Sequence, residues 1–215
     1  MRQSAGKQSN DAPAGTVRPG IRRDELIEVA ANIFAEKGYA NTSIQDIADK
    51  LGLLKGSLYY YIDAKEDLLF EVIQSNMIFW HGLVEEIQGS TASTLHRLHT
   101  YIHRNIEGSL HVRDRTAVFI HDFQALSPER QQVILDMRHE HDVLLRDLIR
   151  KAKEEKLIAQ DIDVKLVSLA ILTMSGSLYR WYNAKGDLSA QSIADDLTRF
   201  VLQGLGVMNP EEFGR

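Results

Sequence analysis

The side chains best suited to chemistry lie close together in residues 42–65, TSIQDIADKLGLLKGSLYYYIDAK. Within it, Lys55, Gly56, Ser57, Tyr59 and Tyr60 form one short polar and aromatic segment. A lysine reaches a phosphate or a guanine edge, and Gly and Ser permit close backbone approach. Tyrosine hydroxyls donate to phosphates while their rings meet thymine methyls. Thr42, with Ser43 beside it, opens one helical pattern and Lys65 opens another, where free backbone N–H groups attract a phosphate. A cation at a helix N-terminus opposes the helix dipole, so Lys55 and Lys65 both ask for an anionic partner. Two plainer readings stay open: Tyr59 and Tyr60 as half-buried packing aromatics, and Lys65 as a solvated first-turn lysine. Leu58 and Tyr61 share the inward face with Ile62 and are expected in the core.

A second cluster is chemical in type but not in arrangement. His96, His99 and His103 fall at offsets 0, 3 and 7, so one helix face presents all three, and such a face can hold a divalent metal. No HExxH stands nearby and no carboxylate completes a zinc hydrolase site. His139, Glu140 and His141 point in different directions on one turn and cannot converge. His121 and Asp122 either help line a pocket or form a surface pair. No nucleophile motif, base–orienter pair or Gly-rich phosphate loop is present, so no catalytic residue, metal ligand or cofactor is assigned. A metal enzyme using the His96/His99/His103 face, or a helical adaptor for protein partners, are the alternatives. The adaptor reading gives no reason for Thr42, Lys55 and Lys65 to gather at helix starts.

These residues need an all-α scaffold to position them. The 215 residues include four prolines, at 13, 19, 128 and 210, so long helices are unobstructed across 20–127 and 129–209. Residues 1–20, rich in Gly, Ser, Gln and Pro, read as a disordered arm carrying Arg2, Lys7 and Arg18. From Ile21 the apolar spacing is helical, with no convincing period-2 strand. Leu26, Val29, Ala30, Ile33 and Phe34 form one stripe, stopped by Gly38. A capping box of Thr42 and Gln45 is expected before the stripe Ile44, Ile47, Ala48 and Leu51, which Gly52 closes. A short helix over 55–61 follows. Asp63 and Glu66 then open a long helix from Lys65 to about Gln88. Further helices are expected over 91–110, 113–123, 128–156, 163–184 and 189–204, the last capped by Ser189. That makes about nine.

Charge and composition exclude several classes. The absence of cysteine removes disulfide frameworks, Cys-based zinc sites and thiol catalysis. No 18-residue apolar run can span a bilayer, and the first residues lack a secretory signal's apolar core, so a cytoplasmic protein is expected. The formal net charge is −5, but residues 1–65 hold nine Lys and Arg against eight Asp and Glu. An anionic partner therefore meets the front end.

The stretch from Arg22 to Leu69, with AANIFAEKGYANTSIQDIADKLG followed by GSLYYYIDAKEDLL, resembles the TetR family of bacterial transcriptional regulators. The FAEKGY–T–IADKLG–SLYYY–KEDLL succession is far more specific than a general helix-turn-helix pattern. One departure is Leu54, where the family usually has a Ser or Thr cap for the recognition helix. The resemblance implies a three-helix helix-turn-helix domain over 21–66, a ligand-binding and dimerisation domain over 67–206, and a tail over 207–215. It implies a homodimer reading double-stranded DNA at an inverted repeat, released by a small-molecule effector. The C-terminal helices look like the family's dimer-forming pair, with stripes Val167, Ile171, Leu178, Tyr182 and Ile193, Leu197, Phe200, Val201. Candidate cavity walls between the long middle helices are Phe79, Trp80, Leu83, Phe119, Phe123, Met137, His141 and Met174. Residues 178–197 resemble members that regulate fatty-acid, steroid or similar acyl-CoA breakdown. That implies an acyl-CoA effector, its chain in an apolar tunnel and Arg or Lys near the mouth.

Overall fold

The structure, a computed structural model, describes residues 22–207. The expected arm, with Arg2, Lys7 and Arg18, and the tail beyond Val207 lie outside these residues. Among the described residues there are nine α-helices and no strand. They are α1 (Arg23–Lys37), α2 (Ile44–Leu51), α3 (Lys55–Leu58), α4 (Lys65–Gly89), α5 (Thr94–His111), α6 (Arg113–Asp122), α7 (Pro128–Glu154), α8 (Val164–Ser177) and α9 (Ala190–Gly204).

The first three helices enclose a small core. Leu26, Ala30, Ile33 and Phe34 of α1 bury against Ile44, Ile47, Ala48 and Leu51 of α2, with Leu58 and Ile62 beneath α3. This is the inward face that the 3.6-residue spacing marks. Tyr61 is half-buried, less inward than expected, with its ring edge against Tyr60 and its carbonyl accepting from Arg23 Nη1 at 2.5 Å. Two glycines make the turns: Gly38 at φ +80° ends α1 and Gly52 at φ +69° closes α2, conformations in which a Cβ is strained.

Both capping boxes are displaced by one residue from their expected places. Ser43, not Thr42, caps α2: its hydroxyl accepts from the Asp46 N–H at 3.2 Å, and Asp46 reaches back to the Ser43 N–H at 2.8 Å. Gln45 instead bonds Asp49. At α4 the reaching carboxylate is Asp67 rather than Glu66, accepting from the N–H groups of Asp63 and Ala64 at 3.0 and 2.7 Å. Glu66 accepts from the Ser127 N–H, which frees it for a tie to α7. An acid at N3 closes the loop in each case, as helix N-termini require.

Helix α4 joins the two parts of the molecule, with Leu68, Leu69, Val72 and Ile73 at one end of its buried face and Val84 and Ile87 at the other. It packs on α1, α5, α6 and α7, while α9 lies along α5 and α8 lies against α7 and α5. The helix expected over 163–184 stops at Ser177, and a 3-10 turn follows at Leu178–Arg180. Its Gly and Ser run weakens the last turn. Ser189 caps α9, as expected, accepting from the Ser192 N–H at 3.1 Å.

Candidate functional site

The outward surface of α3 presents the candidate DNA-reading group. Lys55, Gly56 and Ser57 are exposed, a Cβ on Gly56 would meet nothing within 4 Å, and Tyr60 is 89% exposed and Tyr59 48%. Tyr60 is therefore not a packing aromatic. α3 begins after Leu54, 79% exposed and making no side-chain cap, so the first N–H groups of this short helix stay open. Ser43 is also exposed, and its hydroxyl is shared with Asp46. The Lys37 ammonium and the Ser43 groups around Asp46 hold its carboxyl well below the usual carboxylate range, so this cap persists in acid.

Two of the expected contact residues lie otherwise than the sequence suggests. Thr42 is buried at 2% exposure and its hydroxyl donates to the Gly38 carbonyl at 2.9 Å, so its side chain braces the α1–α2 turn. Lys65 turns back instead of projecting outward. Its Nζ donates to the carbonyls of Tyr39 and Thr42, both at 2.8 Å, and sits 4.2 Å from the centre of the Tyr39 ring. Its cation is drawn by two carbonyls and an aromatic face within the protein, which fixes the start of α4 against the turn before α2.

The second candidate site is a cavity of about 380 Å³ between α4, α5, α6, α7 and α8, a size typical of small-molecule sites. Four expected residues line it: Trp80, Phe119, Met137 and His141. The other four do not. Leu83 is core one turn beyond Trp80, and Phe79 lies edge-on to Trp80 over Gly108, where a Cβ would come within 2.7 Å of its ring. Phe123 packs edge-on to Phe119, behind the wall, and Met174 packs into the core beside the lining residues Thr173 and Ser175.

Polar residues that sequence reasoning missed complete the lining. Asn76, Asn105 and Thr116 are buried, whereas Arg138 and Arg180 are exposed, so the cavity has a polar floor and a cationic rim. His141 is buried too, with Nε2 2.8 Å from the Tyr101 hydroxyl. Burial pushes its pKa down to about 4, keeping the imidazole neutral. A signal existed for two of these residues. Asn76 and Asn105 interrupt apolar helix faces at core positions, between Val72 and Trp80 and between Ile102 and Ile106.

The wall of the cavity connects to the first three helices. Tyr179 on its rim places its hydroxyl 2.7 Å from Nε2 of His121 near the end of α6. The next residue, Asp122, accepts from the Tyr39 N–H at 3.3 Å, and burial raises its pKa. Arg115 pairs with Glu28, and Arg130 on α7 pairs with Asp67 and Glu66 at 2.5 and 3.4 Å. The surface-pair alternative for His121 and Asp122 therefore gives way to a bridging one.

The histidine face behaves differently from a metal site. His99 and His103 stack with ring centres 6.0 Å apart, but His103 Nε2 is 2.9 Å from Asp195 on α9 and 3.3 Å from Gln191. Among the described residues no three His, Cys, Asp or Glu side chains are placed to hold one ion.

Dimer candidates divide by burial. Ile171, Leu178 and Ile193 are buried within their own chain, at 5% exposure or less, because they face α5 and α7 rather than outward. Val167, Tyr182, Leu197 and Val201 are half-buried, and Phe200 is 68% exposed. Leu166 and Leu169 on α8 are exposed apolar residues that the expected stripes omitted.

A three-helix unit with an outward tyrosine-bearing helix, braced to a helical unit enclosing a cavity, defines a ligand-responsive helix-turn-helix regulator. Comparison with known proteins agrees. Residues 26–72 match the description "Bacterial regulatory proteins, tetR family", and residues 91–205 match "Tetracyclin repressor-like, C-terminal domain". The "HTH-type transcriptional repressor KstR2" of Mycobacterium tuberculosis is 32% identical over 196 residues, covering 91% of this chain and 97% of that protein. The structure of the "ketosteroid transcriptional regulator KstR2" from that organism superposes with a TM-score of 0.81 at 31% identity, covering 87% of this chain and 96% of the other. AibR, solved in complex with isovaleryl coenzyme A and operator DNA, superposes with a TM-score of 0.72 at 25% identity, covering 82% and 96%. The chain belongs to the TetR family and is a DNA-binding transcriptional regulator.

Proposed function

We propose that the protein is a homodimeric repressor whose α3 face reads an inverted-repeat operator and is released by an acyl-CoA in the α4–α8 cavity. Lys55, Gly56, Ser57, Tyr59 and Tyr60 contact bases and phosphates, and Ser43 marks the phosphate-facing start of α2. Lys65 and Thr42 hold the frame. The exposed Leu166, Leu169 and Phe200, with Val167, Leu197 and Val201, form the dimer face, and two-fold symmetry of that face implies two-fold symmetry of the operator.

The observation that carries the effector is the division of the cavity into a buried interior and a rim with Arg138 and Arg180. An acyl group fills the interior while the coenzyme's phosphates meet the two guanidiniums, which suit phosphate geometry. The relatives support it, since AibR holds an acyl-CoA together with operator DNA and KstR2 is a ketosteroid regulator. No catalytic role is needed, and a repressor that binds an operator works in the cytoplasm. The test is fluorescence polarisation of a labelled operator duplex titrated with isovaleryl-CoA, decanoyl-CoA and cyclic acyl-CoAs. Release by a thioester, weakened in Arg180→Ala, is expected. Operator affinity unmoved by every thioester would overturn the acyl-CoA assignment.

A further inference from the structure

Among the polar groups that line the cavity, His141 keeps a donor that the protein does not use. The residue is 8% exposed, against 1% for Asn76 and 2% for Asn105. Its Nε2 lies 2.8 Å from the Tyr101 hydroxyl and 3.4 Å from Asn105 Nδ2. Its other nitrogen, Nδ1, makes no hydrogen bond to any described residue. Unlike the side-chain oxygens of Asn76, Asn105 and Thr116, that nitrogen is not sealed off from the cavity the ring lines. A buried polar atom left without a partner and open to a cavity marks the place of a complementary group.

The neighbours of the ring place its proton. The Tyr101 hydroxyl is buried, and the acceptors beside it are Nε2 at 2.8 Å and the His141 carbonyl at 3.4 Å. It donates to the nearer, and Asn105 Nδ2 points at the same nitrogen, so Nε2 accepts. Burial holds the imidazole neutral, with a pKa of about 4. A neutral imidazole carries one proton, which therefore rests on Nδ1. Neighbouring hydroxyls are spent elsewhere. Those of Ser109, Ser175 and Ser177 donate to carbonyls of their own helix stretches. A hydrocarbon seated over His141 leaves Nδ1–H unpaired beside Trp80 and Met137. A carbonyl oxygen accepts from Nδ1–H and brings no donor that needs a partner.

We propose that His141 Nδ1–H is the specificity-determining donor of the cavity and selects an effector whose buried part carries a carbonyl oxygen. That the buried part is the acyl group of an acyl-CoA rests on the function proposed above. The donor itself rests on the imidazole and its two partners alone. Tyr101 acts through His141, as the positioning residue that keeps the proton on the nitrogen facing the ligand.

The experiment uses the full chain and two carboxylates of one shape, 6-oxoheptanoate and 6-methyl-6-heptenoate, which differ by C=O against C=CH2. Their carboxylates suit the Arg138 and Arg180 rim. Nitrogen NMR of the free protein should find the His141 proton on Nδ1, and the keto acid should move that N–H resonance downfield while the alkene does not. A proton on Nε2, no binding of the keto acid, or the same response to both acids would overturn the proposal. Calorimetry then compares the two dissociation constants in the natural protein and in the double variant Tyr101→Phe, His141→Leu. That variant removes the imidazole together with the hydroxyl it satisfies. The ratio should shift about 10-fold toward the alkene. An unchanged ratio would assign recognition to another donor, such as the Asn76 amide, and overturn the proposal. The CoA thioesters of the two acids, compared in operator release, should rank with the keto compound more potent, and equal potency would overturn the proposal for the effector. Failure of both thioesters beside a shifted ratio for the free acids would overturn the acyl-CoA assignment and leave the His141 donor standing.

Discussion

The hydroxyl of Tyr179 lies 2.7 Å from Nε2 of His121, joining the rim of the cavity to the end of α6. One residue further, Asp122 holds the backbone of Tyr39, and the Tyr39 carbonyl in turn holds Lys65 at the start of α4. A ligand that displaces Tyr179 therefore acts on a connected set of hydrogen bonds ending in the frame of α2 and α3.

Breaking the first link should separate sensing from reading. Tyr179→Phe removes the hydroxyl but keeps the ring, so operator affinity without effector should stay within about twofold. Effector potency should shift by about 2- to 30-fold, the range for residues that couple two sites. Paired operator titrations with and without effector measure both quantities. Unchanged potency would show that the bond carries no coupling.

Lys65 and Tyr60 should behave oppositely. Lys65→Met loses two charge-assisted bonds to backbone carbonyls and should cost about 1–2 kcal/mol of stability, discounted for partial exposure. Tyr60→Ala touches an exposed ring and should move stability by less than about 0.5 kcal/mol, yet weaken operator binding. Denaturant midpoints and operator affinities of the two variants test this split.

His141 sets an acid limit. Its folded pKa is pushed by burial down to about 4, below the value near 6.5 of an exposed histidine. A depressed pKa contributes stability that is complete above pH 6.5 and is lost as pH falls toward 4. The loss is on the order of 3 kcal/mol when complete. Urea unfolding at pH 7, 6, 5 and 4 should show this decline, and His141→Asn should flatten it.

Salt should weaken operator binding steeply despite the net charge of −5. With six to ten phosphate contacts, affinity should fall about 10³–10⁵-fold between 50 and 200 mM salt. A flat response would mean that the α3 face does not engage phosphates.

The helices themselves were legible because apolar residues recur at helical spacing and because glycines at 38 and 52 punctuate them. The outward face of α3 was legible too, since Lys55, Ser57 and Tyr60 are polar residues beside the inward Leu58. The placements of Thr42 and Lys65 were not legible, because spacing does not distinguish Thr42 from Ser43 as the cap of α2, and the two carbonyls that Lys65 holds belong to a distant turn. The cavity floor was not legible, since its polar groups come from four helices distant in sequence. Only the Asn residues within apolar faces hinted at it. Burial within one chain against burial between two copies is likewise invisible to periodicity, so the burial of Ile171, Leu178 and Ile193 within their own chain was not legible.

The most direct test of a dimer that reads DNA through α3 is selection of bound duplexes from a random pool by the purified protein. The account predicts an enriched inverted repeat, lost in Tyr60→Ala while the protein stays folded. No enrichment at low salt by folded protein, or an enriched site without two-fold symmetry, would contradict it.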